Sequence, residues 1–209
     1  MNYIFDFDGT IADSLPAMIA IYNKVIRNNE DPLTPEEIRS FRGMSSRKAL
    51  RQLGVRWWQV PKLLLRGLPH FQAMAANLDS FTGLRDVIKK LHERGDKLYI
   101  VTSNTRDSVD KFLAAQKLEP YFIDAVTGAG LFNKAKHIRR LMKAHGLKRK
   151  DTVYIGDETR DIQAARMAFI RAVSVTWGFN TRRILEKQRP AYLIDTPEEL
   201  LSIRLKEPA

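Results

Sequence analysis

The sequence predicts an α/β fold: a parallel sheet covered by helices, with an all-helical unit inserted after the first strand. Three observations carry the prediction. Short apolar runs rich in β-branched and aromatic residues recur at 3–8, 97–102, 122–126, 151–156, 172–176 and 191–194, the pattern of buried strands. From Gly83 onward, stretches with helical spacing alternate with those runs, as in βαβ units. Residues 14–80 hold no strand-like run and read as helices throughout. The 209-residue chain is 44% hydrophobic, so it can bury a sizeable core and is too apolar to be disordered.

Taken in order, Tyr3-Ile4-Phe5-Asp6-Phe7-Asp8 is a strand broken by Gly9. In the insert, Ser14 to Arg27, Thr34 to Phe41, Ser45 to Leu53 and Val60 to Ala76 have helical spacing or start signals, punctuated by Pro32, Gly43, Gly54 and Pro69. A helix from Gly83 to Arg94 is closed by Gly95, a natural stop. Lys97 to Thr102 is a strand, Arg106 to Gln116 a helix and Phe122 to Val126 a shorter strand. Lys134 to His145 is helical, Asp151 to Gly156 a strong strand, Thr159 to Ala168 a helix and Ala172 to Thr176 a strand. Thr181 to Lys187 is helical and Ala191 to Ile194 a weak last strand. Thr196-Pro197-Glu198-Glu199 reads as a capped start with Pro at the first position, for a helix over Pro197 to Ile203. The expected division is a core of residues 1–13 and 81–209 and a smaller helical domain of residues 14–80.

Lys plus Arg outnumber Asp plus Glu 35 to 24, a formal net charge of +11. Such a charge can steer anionic substrates, attach to nucleic acid or merely solvate the surface. The longest one-sided run, Lys134 to Lys150, holds eight Lys or Arg and no acid. Cysteine is absent, which excludes disulfides, thiolate chemistry and a Cys-rich zinc site. No stretch approaches the roughly 18 apolar residues that span a bilayer. Asp6 and Asp8 interrupt the first apolar run, so a signal-peptide core is missing. The expected location is cytoplasmic.

Two acidic clusters stand at strand ends. Asp6 and Asp8 are two apart, a spacing that in extended chain puts both on one face. Two such carboxylates repel unless a cation or proton intervenes, which suits a hard metal ion or a nucleophile paired with an acid/base. Gly156-Asp157-Glu158-Thr159-Arg160-Asp161 ends the strongest later strand, with Asp157 and Asp161 four apart. Glu158 and Asp161 can also simply favour a helix N-terminus. Together the clusters offer an all-oxygen site that favours Mg²⁺ over zinc, at the carboxyl edge of the sheet where open α/β folds bind ligands. Thr102-Ser103-Asn104 follows a strand and precedes a helix, a place for phosphate or for an ordinary helix cap. Lys134 starts a helix after Gly128-Ala129-Gly130-Leu131-Phe132-Asn133, unfavourably for the dipole unless an anion lies near; a surface lysine in a basic region is the alternative.

Phe5-Asp6-Phe7-Asp8-Gly9-Thr10 resembles the first signature of the haloacid-dehalogenase-like hydrolase superfamily. Ser103-Asn104 matches its second motif, Lys134 its third, and Gly156-Asp157 with Asp161 its fourth. The motifs occur in order and cover nearly the whole chain. The helical insert after the first motif resembles the cap of the phosphoglycolate-phosphatase-like and beta-phosphoglucomutase-like branch. The resemblance implies a three-layer Rossmann-like core closed by that cap. It implies Asp6 as the nucleophile that forms an aspartyl-phosphate, and Asp8 as the acid/base. Asp6, the backbone carbonyl of Asp8, and Asp157 would bind Mg²⁺, with Asp161 a ligand or support. Ser103 and Lys134 would hold the phosphoryl oxygens, with Thr10 and Asn104 around the phosphate. Arg42, between two cap helices, is a candidate for an anionic leaving group or a solvated turn residue. Relatives usually carry Gly where Phe169 stands, so an altered helix end is expected there. Cap aromatics Trp57, Trp58 and Phe71 read as packing residues.

Dehalogenases of this superfamily lack the second Asp as acid/base, so Asp8 points to phosphoryl transfer. The leading expectation is a Mg²⁺-dependent phosphatase for a small anionic phosphorylated metabolite, phosphoglycolate or similar. A phosphomutase of the same superfamily is the alternative. A non-catalytic basic binding protein on this fold is a third reading. Charge alone does not argue for nucleic acid, and the sequence does not give an oligomeric state.

Overall fold

The computed structural model describes residues 1–27, 29–129 and 133–205, apart from the side chains of Trp57, Pro61 and Leu64. The loop residues Gly130, Leu131 and Phe132 singled out ahead of Lys134, and the Trp57 side chain, lie outside the described residues. Strand β1 (Asn2–Phe5) is followed by helices α1 (Leu15–Val25), α2 (Pro35–Arg42), α3 (Ser46–Gln52) and α4 (Val60–Met74). The chain then alternates through α5 (Leu84–Glu93), β2 (Lys97–Val101), α6 (Arg106–Gln116), β3 (Phe122–Val126), α7 (Lys134–Ala144) and β4 (Thr152–Gly156). It ends with α8 (Thr159–Met167), β5 (Arg171–Val175), α9 (Arg182–Glu186) and β6 (Tyr192–Ile194).

Among the described residues these strands form one six-stranded sheet in the order β3-β2-β1-β4-β5-β6, parallel at every pairing. A parallel sheet must be covered on both faces, and the side-chain alternation shows how. Tyr3, Phe5, Leu98, Ile100, Val153 and Ile155 face one way and pack with Val87, Leu91, Val109 and Phe112 of α5 and α6. Their neighbours Ile4, Tyr99, Val101 and Tyr154 face the other way, onto Ile138, Leu141, Ile162 and Ala165 of α7 and α8. Each large side chain so buried contributes about 1.5–3 kcal/mol. The result is a three-layer α/β core with an inserted helical cap.

Sequence order reverses on either side of β1, because β2 follows it on one side and β4 lies on the other. The crevice at the carboxyl ends of the strands beside such a switch point is where open α/β sheets bind ligands. The cap enters and leaves the core through a paired neck. Asp13 N–H donates to Asp79 O at 2.9 Å, beside an antiparallel bridge between Ala12 and Ser80. Within the cap, Thr34 and Glu37 close a capping box at the start of α2, and Gly67 of α4 approaches Ile21 of α1 closely enough that a Cβ would lie 3.1 Å from Cγ2.

Several boundaries differ from expectation. Pro69 does not punctuate the cap; α4 runs through it, because Pro69 is exposed and only one ladder hydrogen bond is forfeited. Residues 197–202 form a 3₁₀ helix rather than an α-helix despite their capping box. Trp57–Gln59 is a 3₁₀ turn. Phe71 is buried as a packing residue, whereas Trp58 is 56% exposed, with Arg56 over its ring at 5.4 Å.

The end of α8 keeps the left-handed turn that glycine favours, with Phe169 in it. Phe169 sits directly after the C-cap Ala168 with φ of 59°, a left-handed conformation that costs a residue with a Cβ about 1–2 kcal/mol. It is 68% exposed, and Arg149 lies over its ring at 5.0 Å. Phe169→Gly should therefore raise the unfolding free energy by about 0.5 kcal/mol, after the loss of a weak cation–π contact and the added freedom of glycine. Urea unfolding of the two proteins checks this; a destabilised glycine variant would contradict the strain assignment.

Candidate active site

Asp6 is the first residue after β1, held by its own N–H to Ile155 O at 2.8 Å. Burial is nearly complete, at 2% exposure. Its Oδ1 accepts from Phe7 N–H at 2.8 Å and its Oδ2 from Lys134 Nζ at 2.6 Å. Lys134, the first residue of α7, also donates to Asp161 Oδ1 at 2.6 Å. Asp161 in turn accepts from Glu158 N–H through Oδ2 at 2.9 Å, which caps α8. One ammonium thus joins the end of β1, the first turn of α8 and the start of α7.

Asp157 follows β4 and is fully buried. Thr10 Oγ1 donates to its Oδ1 at 2.8 Å and Phe179 N–H to its Oδ2 at 2.6 Å. Thr10, expected near substrate, is itself fully buried and instead positions this carboxylate. The reason is the sharp turn after Asp8. Gly9 has φ of +73°, and a Cβ there would collide with Asp157 Oδ2. Gly178, from the loop after β5, packs onto Gly9 O and Asp157 so closely that a Cβ would also clash. Trp177 Nε1 donates to Thr10 O at 3.2 Å, so Trp177 is structural.

Asp8 is held by a different partner from Asp6. Its carboxylate accepts from Asn104 Nδ2 at 3.1 and 3.3 Å and is partly exposed, because the chain leaves extended geometry at Phe7, whose carbonyl accepts from Ile11 and Ala12. Asn104 also ties its own loop, with Oδ1 accepting from Thr105 N–H at 2.8 Å. Ser103 is half-buried in the same turn after β2.

Among the described residues, Asp6, Asp157 and Asp161 each offer an oxygen within 4.8 Å of one another, a buried cluster able to coordinate a divalent metal. The expected contribution of Asp8 to an ion is through its backbone carbonyl, and its carboxylate is not in that cluster. The charge balance fits a cation. Asp6, Asp157, Glu158 and Asp161 are buried together against Lys134 and Arg160, four carboxylates to two cations. Burial pushes Asp6 up from 3.8 to about 7, against the opposing pull of Lys134. Burial, then Glu158 and Asp161, push Asp157 well up. Burial also raises Asp8, against hydrogen bonds from Ser14 and Asn104. For Lys134, burial pulls down but Asp161 and Asp6 outweigh it, so the ammonium is held charged.

The cap is docked over this edge. Arg42 is not turned to a substrate: its Nε and Nη2 donate to Phe179 O at 3.2 Å and Gly178 O at 2.8 Å, and its own carbonyl accepts from Thr181 N–H. Asn180 Nδ2 donates to Met44 O at 3.0 Å while its Oδ1 takes Thr159 N–H at 3.0 Å. Ser46 Oγ donates to Glu158 Oε2. Glu158 and Arg160 were not singled out for chemistry. The signal was present: an arginine in the first turn of a helix opposes the dipole and needs acids around it, the same anomaly that marked Lys134.

A profile of the haloacid dehalogenase-like hydrolase family matches residues 3–175. A phosphoglycolate phosphatase of Synechococcus elongatus is 37% identical over 199 residues, 95% of this chain and 94% of that protein. Phosphoglycolate phosphatase 1 of Pseudomonas aeruginosa is 25% identical over 95% of this chain and 77% of its own length. A haloacid dehalogenase-like family hydrolase of Streptococcus pneumoniae superposes with a TM-score of 0.81 at 21% identity, covering 96% of both chains. No helix among the described residues is long and apolar enough to cross a membrane. With the signature residues at the strand ends, a buried three-carboxylate cluster and a helical cap over them, the chain belongs to the haloacid dehalogenase-like hydrolase family, in its phosphoglycolate-phosphatase-like branch.

Proposed function

We propose that this protein is a Mg²⁺-dependent phosphatase that hydrolyses a small phosphate monoester of the phosphoglycolate type through an aspartyl-phosphate on Asp6, with residues 14–80 as the cap. The observation that carries the reading is the pairing of a buried, Lys134-bound Asp6 with a separately held, partly exposed Asp8. The 37% identity to a phosphoglycolate phosphatase over most of both chains supports the substrate class.

An Asp6 oxygen attacks phosphorus and the bond to the ester oxygen breaks. Asp8, whose pKa burial raises, protonates the departing oxygen. Asp8, now ionised, takes a proton from water as that water attacks the aspartyl-phosphate, releasing phosphate and restoring Asp6. Asn104 keeps Asp8 on the leaving-group side. Lys134 and Ser103 hold phosphoryl oxygens, with Lys134 offsetting the charge that spreads over them. Asp6, Asp157, Asp161 and the Asp8 carbonyl are the residues to hold Mg²⁺, which when bound neutralises phosphoryl charge. Thr10 and Phe179 N–H fix the Asp157 carboxylate for that task.

Asp6→Asn should abolish phosphate release from phosphoglycolate and from an aryl phosphate, and EDTA should do the same reversibly; full turnover by the variant would sink the mechanism. A phosphomutase would instead isomerise a sugar phosphate with no net phosphate release, which product analysis distinguishes. Asp8→Asn should lower kcat by about 10²–10⁴, with a smaller loss for an aryl phosphate whose leaving group needs no proton. The pH dependence has a definite sign. A carboxyl raised by folding binds more protons folded than unfolded, so the metal-free protein loses stability as pH rises from 3.8 through about 7. Mg²⁺ should therefore raise the melting temperature more at the upper end of that window than at the lower end; equal shifts would contradict the assignment of Asp6 to the ion.

A further inference from the structure

Arg160 is a charged group of the site for which the proposed chemistry gives no role. It lies in the first turn of α8, between the metal-cluster residues Asp157 and Asp161. Its Nε donates to Glu158 Oε1 at 2.7 Å, and Nη2 pairs with the same oxygen. Its Nη1 is buried and has no hydrogen-bond partner among the described residues. A buried unsatisfied donor costs about 1–3 kcal/mol, more when charged, so it calls for an explanation.

Placement supplies one. Arg160 directly precedes Asp161, which holds Lys134 at 2.6 Å, and its charge acts on Asp6, Asp8 and Lys134. Burial works against its charge, but Glu158, Asp161, Asp6 and Asp157 hold it firmly protonated. Glu158 is also where the cap takes hold, through Ser46 Oγ on Oε2. The two oxygens of Glu158 therefore join the cap to Arg160. The other cap-to-core arginine, Arg42, already donates through Nε and Nη2 to backbone carbonyls, and Lys134 is committed to two carboxylates. A guanidinium fixed along one edge with a buried, unpaired N–H on the other is suited to an anionic oxygen.

We propose that Arg160, positioned by Glu158 under the docked cap, is the specificity residue that binds a carboxylate on the leaving group of the phosphate monoester. The assignment rests on the phosphatase reading above and deepens it. Lys134 meets the phosphoryl end and Arg160 the carboxylate end. A substrate without a second anion leaves Nη1 buried and unpaired beneath the cap, which is a stronger discrimination than lost attraction alone.

Calorimetry with Mg²⁺ present, in an Asp6→Asn background that cannot turn over, tests this with 2-phosphoglycolate and its carboxyl methyl ester as probes. The Asp6→Asn protein should bind the acid at least about tenfold more tightly than the ester, the value of one charge-assisted hydrogen bond. Adding Arg160→Gln should bring that ratio to within about threefold, while Arg160→Lys, which keeps the charge but loses the fork, should leave it in between. Equal weakening of both ligands, a ratio that survives Arg160→Gln, or no preference in the Asp6→Asn protein would overturn the assignment. If Arg160→Gln does not fold by circular dichroism, Arg160→Lys carries the test, and an unchanged ratio there overturns it. Hydrolysis by the unsubstituted protein is read separately: an intact binding ratio with no phosphate release would remove the phosphatase reading and leave Arg160 standing.

Discussion

The contact on which the rest depends is the double hydrogen bond from Lys134 to Asp6 and Asp161, both at 2.6 Å. Three buried carboxylates within 4.8 Å of each other would drive the strand ends apart or take up protons. The ammonium holds them in place while leaving the site net negative, ready for a second positive charge. The lysine itself is stabilised in this dry position only by those acids, so cation and anions are mutually dependent. Breaking such a buried set from one side is far more costly than never having built it.

Around that contact the fold acts as a jig. Parallel pairing of β1 with β2 and β4 brings the ends of the strands to one edge, and the close approach of Gly9 and Gly178 to Asp157 brings the loops to contact distance. Thr10, Phe179 and Glu158 then fix the carboxylates through hydrogen bonds that leave little rotational freedom. The cap attaches at the same place. Its α2–α3 junction is tied to the loop after β5 and to the start of α8 by Arg42, Asn180 and Ser46. Cap position and site geometry therefore share hydrogen-bonded residues.

Much of this was legible in the sequence. Strand period and strand-end acids pointed to Asp6, Asp157 and Asp161, while Lys134, left open by the helix dipole alone, was picked out by its match to the family's third motif. What escaped was the direction of side chains once the backbone turns. Extended spacing puts Asp6 and Asp8 on one face, but the chain turns at Phe7 and Asp8 pairs with Asn104. Thr10 was placed near substrate because its burial behind Asp157 depends on a loop well over a hundred residues away. Arg160 passed as an ordinary helix residue because its value lies in what it leaves unpaired, which no local pattern records. Pro69 and the 3₁₀ turn at 197–202 escaped for the opposite reason: local rules were applied where tertiary packing decides.

The sheet order has a consequence for when the protein becomes competent during synthesis. Asp6 and Lys134 are 128 positions apart, and Thr10 and Asp157 are 147 apart. A nascent chain halted before β4 carries Asp6, Asp8 and Lys134, yet lacks Ile155, whose carbonyl accepts from Asp6 N–H, and Asp161, which shares the Lys134 ammonium. The hydrogen bonds around Asp6 and Lys134 can therefore be completed only once β4 and the start of α8 have emerged.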